Sequence, residues 1–144
     1  MEMIYREVIE LSIPSRPKLE KVAVDTAAAV AGIMGFSEDR IEDLKTAVEE
    51  ACVNAIEHGN KQDANMKVLV ELTADSSKLQ VDIHDQGGGI KGNIEVPDID
   101  KKMARKQSSR GWGLFLIQSL MDEVEFEYDS EKGNVIRMVI HLRK

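Results

Sequence analysis

The stretch from residue 38 to about residue 58 constrains this chain most. Ile41, Leu44, Val48, Ala51, Cys52 and Ala55 recur at helical spacing, which places them on one face of an α-helix. A helix with one apolar face must bury it against another layer. Ser37, Glu38 and Asp39 suit its start, a hydroxyl cap followed by first-turn acids, although Ser37 with Arg40 makes an imperfect capping box. Gly59-Asn60 is expected to end it with a left-handed cap. The opposite side carries Thr46, Glu50, Asn54, Glu57 and His58. Taken alone, that is an ordinary solvated stripe.

The layer that covers this helix is legible in part. Residues 5–13 alternate, with Tyr5, Glu7, Ile9 and Leu11 on one side and Val8 and Glu10 on the other, as in a first strand. Ser15 is expected to cap a following helix with Pro17 in its first turn, and Leu19, Val22, Val24, Ala28, Val30, Ala31 and Ile33 carry its apolar pattern to Gly35. Residues 65–74 and 79–85 alternate as two strands around Asp75-Ser76-Ser77-Lys78. Residues 91–111 are polar, contain Pro97 and have little core pattern, which inside a compact domain marks a functional or mobile segment. A short helix over 114–121 and a hairpin of 123–128 with 135–142, turning at 131–134, complete the chain. The order β-α-α-β-β-loop-α-β-β lacks strict βαβ alternation. It predicts an α+β fold with helices on one face of a mixed, mostly antiparallel sheet. With 144 residues, no internal repeat and no linker, residues 1–144 read as a single domain.

Composition narrows the function classes. The net charge of −7 disfavours a nucleic-acid partner. No apolar run approaches the roughly 20 residues that span a bilayer, and MEMIYREVIE does not read as a signal peptide. The single cysteine, Cys52, cannot form an internal disulfide, so a cytoplasmic location is expected. The charge is uneven: residues 101–110, KKMARKQSSR, carry five basic side chains and no acidic one. Such an island suits a solvated helix face or a bound anion such as a phosphate.

Three short motifs carry candidate chemistry. In EACVN, Glu50 and Asn54 lie one helical turn apart on one face. In DQGGGI, Asp85 ends a strand and is followed by glycines that let the backbone approach a ligand, or that merely make a turn. In RGWGL, Gly111 and Gly113 open the third helix, where amides bind anions. Neither glycine pattern is a Walker A loop, since no Gly-Lys-Ser/Thr follows.

Together, in this order and spacing, the three resemble the N, G1 and G2 boxes of the GHKL, or Bergerat-fold, ATP-binding superfamily. Within it, EEACVNAIEHGN and RGWGLFLIQSLMDEVEF resemble the anti-sigma factor serine kinases of bacterial partner-switching systems. The resemblance implies a Bergerat α/β sandwich that binds ATP with Mg²⁺. It implies Glu50 as the general base and Asn54 as the metal ligand. It implies Asp85 as the acceptor from the adenine amine, Gly87 and Gly89 beneath the nucleotide, and Ile90 lining the base pocket. Gly111 and Gly113 match the second glycine pair, with Trp112 and Leu114 beside them. Residues 91–110 correspond to the ATP lid, where Arg110 first and Lys106 second are expected to reach the triphosphate. The implied partners are a sigma factor and an anti-anti-sigma protein with a STAS domain, phosphorylated on Ser or Thr. A homodimer is typical of the family, and the first strand offers an edge for it. The alternative expectation is a regulatory module that binds ATP or ADP and sequesters a partner without phosphoryl transfer.

Overall fold

A computed structural model describes residues 6–87, 109–129 and 133–143. Five strands form one sheet: β1 (Glu7–Pro14), β2 (Lys67–Ala74), β3 (Lys78–His84), β4 (Glu123–Asp129) and β5 (Gly133–His141). Their order is β1-β2-β3-β5-β4, and every pairing is antiparallel. The sheet, expected to be mixed and mostly antiparallel, is wholly antiparallel among the described residues. Short links join β2 to β3 and β4 to β5, which only antiparallel neighbours allow, while β1 on β2 and β3 on β5 pair antiparallel across longer connections. In the β2–β3 link, the Asp75 carboxylate accepts from the Ser77 and Lys78 amides at 2.8 and 2.9 Å, which holds its pKa below the usual carboxylate range.

The described residues also include the α-helices α1 (Glu20–Met34), α2 (Glu38–Asn54) and α3 (Ser109–Leu120). Inward residues of the sheet, among them Val68, Val70, Leu72, Leu79, Val81, Ile83, Met138 and Ile140, join Leu44, Val48, Ile56, Leu114 and Ile117 in one buried core. Strand alternation leaves the other face of β1–β3 and β5 to polar side chains such as Glu10, Glu71, Asp82 and Arg137, which register side by side. The α+β architecture with helices on one face of the sheet is as expected.

The helices differ from expectation in detail. On α1 the buried face is Ala23, Val24, Ala27, Val30 and Ala31, while Val22 and Ile33 are 47% and 87% exposed. Alanines at 23, 27 and 31 lie one turn apart on the buried face of α1, which packs against α2, where Ala47 and Ala51 are buried too. Ser15 caps nothing. It is fully buried, its Oγ donates to the Met66 carbonyl at 2.7 Å, and α1 begins five residues later without a side-chain cap. Gly35 ends α1 in the left-handed region, with φ +98°.

Ser37 does cap α2, its Oγ accepting from the Arg40 amide at 3.3 Å. The helix changes register after Asn54 and continues as a π-helical turn, Ala55–Gly59. Asn60, expected to be a left-handed cap, has φ −98°. The left-handed residues come one step later, at Lys61 and Gln62. Finally, α3 begins at Ser109, five residues before expected, so Gly111 and Gly113 lie within it. Residues 88–108, which include most of the expected lid, fall outside the described residues.

Asp122 ties the far end of the domain together. Its carboxylate accepts from Arg40 of α2 at 2.9 Å, from the His141 amide of β5 at 2.8 Å and from Arg143 at 2.7 Å. Burial alone would raise its pKa; the His141 amide and the two guanidinium groups outweigh this and hold it low.

Candidate functional site

The site is built where α2 meets α3. Glu50 and Asn54 stand one turn apart on α2, and Gly113 of α3 faces both. A Cβ placed on Gly113 would lie 2.6 Å from Glu50 Oε2 and 3.3 Å from Asn54 Nδ2. Glycine is required here by close approach: the Glu50 carboxylate occupies the space where a side chain would stand. The stripe that reads in sequence as solvated is therefore split. Thr46 and Glu57 are exposed, Glu50 is half-buried and Asn54 is buried.

The electrostatics of the two residues differ. Burial, reinforced by Glu49 and Glu57 nearby, pushes the Glu50 pKa above the ordinary glutamate value. A carboxylate so placed is a stronger base than one in water. Asn54 Nδ2 is buried with no hydrogen-bond partner among the described residues. A buried NH₂ donor without a partner fits an acceptor that arrives from outside, such as a phosphate oxygen or a water; a metal would instead be met by the Asn54 Oδ1. Among the described residues no cluster of three or more His, Cys, Asp or Glu could hold a metal unaided. A Mg²⁺ held by Asn54 would thus draw its other ligands from phosphate oxygens and water, as Mg²⁺ commonly does.

The second half of the site lies past the π-helical turn. Asp85, at the end of β3, is buried. Its carboxylate accepts from Asn134 Nδ2 at 3.2 and 3.3 Å and from the Asn134 amide at 3.3 Å. Its own amide donates to the Asn134 carbonyl at 3.0 Å. Asp85 packs over Gly59, where any Cβ would collide with its carboxylate. Gly87 follows and lies backbone to backbone on the Gly59 carbonyl. Asn60 Oδ1 accepts from the Gln86 and Gly87 amides, both at 2.8 Å.

The structure thus brings Glu50, Asn54 and Gly113 together, and sets Asp85 and Gly87 on the π-helical turn that extends the same helix. Gly111 is buried and Leu114 fully so. Trp112 is half-buried and meets Phe115 edge to face, with ring centroids 5.4 Å apart. The backbone of Arg110 lies in the first turn of α3. Gly89, Ile90 and Lys106 fall outside the described residues. Cys52 is structural: burial pushes its thiol up to about 12, so it has no thiolate at neutral pH.

Sequence reasoning missed Asn134, Gly59 and the side-chain role of Asn60. Asn134 reads as a turn residue in EKGN, and Gly59-Asn60 as a helix stop. Neither local pattern reveals a partner 49 or 26 residues away.

The fold and this site define a class. The family model for the histidine kinase-like ATPase domain matches residues 13–140, and the chain belongs to that family. Within it, the chain is similar to serine-protein kinase RsbW of Bacillus subtilis (strain 168), at 34% identity over 140 residues, covering 94% of this chain and 86% of that protein. Serine-protein kinase RsbW of Bacillus licheniformis is 34% identical over 132 residues, covering 86% of this chain and 80% of its own. The fold also matches about a third of a Mycobacterium tuberculosis chain whose crystal structure contains RsbU and RsbW domains, with a TM-score of 0.67 at 15% identity, over 93% of this chain and 31% of that one.

Proposed function

We propose that this chain is an ATP-dependent protein serine/threonine kinase that also acts as an anti-sigma factor in a partner-switching system. One partner is a sigma factor held inactive. The other is an anti-anti-sigma protein of STAS type, phosphorylated on Ser or Thr and thereby released. The whole of residues 1–144 acts as one domain, in the cytoplasm, and β1, at one end of the sheet, is the edge through which two copies would pair. Among the described residues no helix is long and apolar enough to cross a membrane.

The observation that carries the reading is the convergence of Glu50 and Asn54 on Gly113. Phosphoryl transfer is chiefly positioning and charge neutralisation. Glu50, with its raised pKa, accepts the proton of the attacking hydroxyl. Asn54 would hold Mg²⁺ through its side-chain oxygen, where the ion would neutralise phosphate charge, while its buried Nδ2 is free to donate to a phosphate oxygen or water. Asp85 accepts from the adenine amine, with Asn134 fixing its carboxylate. Gly87, Gly89 and Ile90 form the floor and wall of the base site. Gly111, Trp112, Gly113 and Leu114 pass beside the phosphates, and Arg110 and Lys106 bring positive charge to them.

The test is incubation of the full chain with γ-labelled ATP, Mg²⁺ and the anti-anti-sigma protein of the same organism. Label should move to a Ser or Thr of that protein, and Glu50→Ala should slow transfer by roughly 10²–10⁴. Nucleotide binding without transfer would replace this reading by that of a regulatory module that sequesters its partner.

A further inference from the structure

Asn60 is 1% exposed, and each of its polar groups is engaged. Its amide donates to the Ala55 carbonyl at 2.8 Å, and its carbonyl accepts from the Asp63 amide at 3.0 Å. Side-chain Nδ2 donates to Ser15 Oγ at 2.8 Å and to the Lys67 carbonyl at 3.0 Å. Oδ1 accepts from the Gln86 and Gly87 amides. One side chain therefore joins the end of β1, the start of β2, the π-helical turn and the glycine-rich turn after Asp85. Aspartate lacks the two donors, and serine is too short to span the same partners.

A latch serving the fold alone would need only its β1 and β2 partners. The acceptor end instead grips the turn that follows Asp85, and the residue before Asn60 is the glycine over which the Asp85 carboxylate packs. The next two residues, Lys61 and Gln62, have φ of +52° and +59°. Left-handed conformation at two successive non-glycine residues is unfavourable and persists only where surrounding contacts enforce it. The chain thus turns sharply immediately after Asn60 and leaves its side chain pointing inward.

We propose that Asn60 is a positioning residue for the nucleotide: by clamping Gln86 and Gly87 to the end of the Glu50–Asn54 helix, it sets the affinity for the adenine end of ATP and ADP. This rests on the reading of Asp85 and Gly87 as part of an ATP site. Asn60 does not touch the nucleotide; it fixes the turn that does.

The experiment is ADP titration calorimetry on the full chain, with thermal melts of the same samples. Asn60→Ala frees two amides and should weaken ADP binding by roughly tenfold to a hundredfold. Ser15→Ala is the matched comparison. It removes an outer anchor of the latch, leaves the grip on Gln86 and Gly87 intact, and should lower Tm while holding the ADP Kd within about twofold. Unchanged ADP affinity in a folded Asn60→Ala protein overturns the proposal. So does weakening by both variants in proportion to their loss of Tm, which is what a purely structural latch produces. Failure of the wild type to bind ADP would remove the ATP-site reading itself and this proposal with it. If Asn60→Ala does not fold, amide exchange on the wild type decides: ADP should slow exchange at Gln86, Gly87 and Asn60 and leave Ser15, the outer anchor, unchanged. Slowing at Gln86 and Gly87 with none at Asn60 overturns the coupling.

Discussion

Gly113→Ala separates stability from catalysis at this site. Gly113 lies inside α3, where alanine is favoured over glycine by about 0.8–1 kcal/mol. Against this stands the new Cβ, 2.6 Å from Glu50 Oε2. The atom that must move is the tip of a flexible, half-buried side chain and not backbone. Turning Glu50 into a poorer rotamer costs about 0.5–1.5 kcal/mol. Asn54 Nδ2, at 3.3 Å, needs to give by only a few tenths of an ångström. The two contributions nearly cancel, so stability should change by less than about 1 kcal/mol. The carboxylate, however, must retreat by most of an ångström to reach ordinary contact distance. A displacement of about 1 Å in a reacting group can lower a rate by roughly 10²-fold. Single-turnover transfer from labelled ATP should therefore fall by about that factor, with ADP affinity and Tm close to wild type. A folded Gly113→Ala protein with wild-type transfer would show that the position of Glu50 against α3 does not matter to the reaction. Loss of more than about 3 kcal/mol of stability would refute the premise that the carboxylate swings aside.

Glu50→Gln tests the pKa of the base. A carboxyl whose folded pKa is raised contributes stability that is complete below its unfolded pKa and lost as pH rises through the folded one. The variant should therefore melt above wild type at pH 7, with the difference closing near pH 4; equal melts across that range would deny the desolvation of Glu50. Asp122 has the opposite sign. Its pKa is lowered in the fold, so its contribution is present at neutral pH and lost as acid protonates it. Asp122→Ala should cost about 1–3 kcal/mol at pH 7 and progressively less below about pH 4, read by urea denaturation at each pH; a cost independent of pH would assign it to packing. Asp85→Asn should weaken ATP and narrow its advantage over GTP, which in the wild type is expected at roughly tenfold to a few hundredfold. Asn134 Nδ2 should hold the new amide oxygen and turn its NH₂ toward the base, so an unchanged ATP-to-GTP ratio by calorimetry would remove Asp85 from base selection.

The parts of the fold legible in sequence are those set by near neighbours. The buried face of α2 could be read because Leu44, Val48, Ala51 and Cys52 repeat at helical spacing, and the Ser37 cap because its acceptor is three residues away. The β2–β3 turn could be read because Asp75 bonds within its own loop. Readings failed where the partner is distant. Ser15 looks like a cap in Ser-Arg-Pro, yet its hydroxyl reaches across 51 residues to Met66. On α1, Val22 and Ile33 look like core because they are apolar, yet the buried face is Ala23, Val24, Ala27, Val30 and Ala31. Side-chain polarity alone does not reveal which way an apolar residue faces.

The glycines carry this distinction into the site. In sequence they suggest flexible backbone near a ligand. In the fold, four of them are glycine because part of the site occupies the place of a side chain: the Asp85 carboxylate at Gly59, the Gly59 carbonyl at Gly87, the Glu50 carboxylate at Gly113 and the Asp85 carbonyl at Gly133. Gly133 alone of these also needs its positive φ, +91°. The two acids read from the motifs are thus each received by a glycine far along the chain, and Gly59 and Gly133 enclose Asp85 from two sides. A glycine in such a motif is therefore informative about the acid it accommodates. Substituting it tests the position of that acid while leaving the acid itself in place.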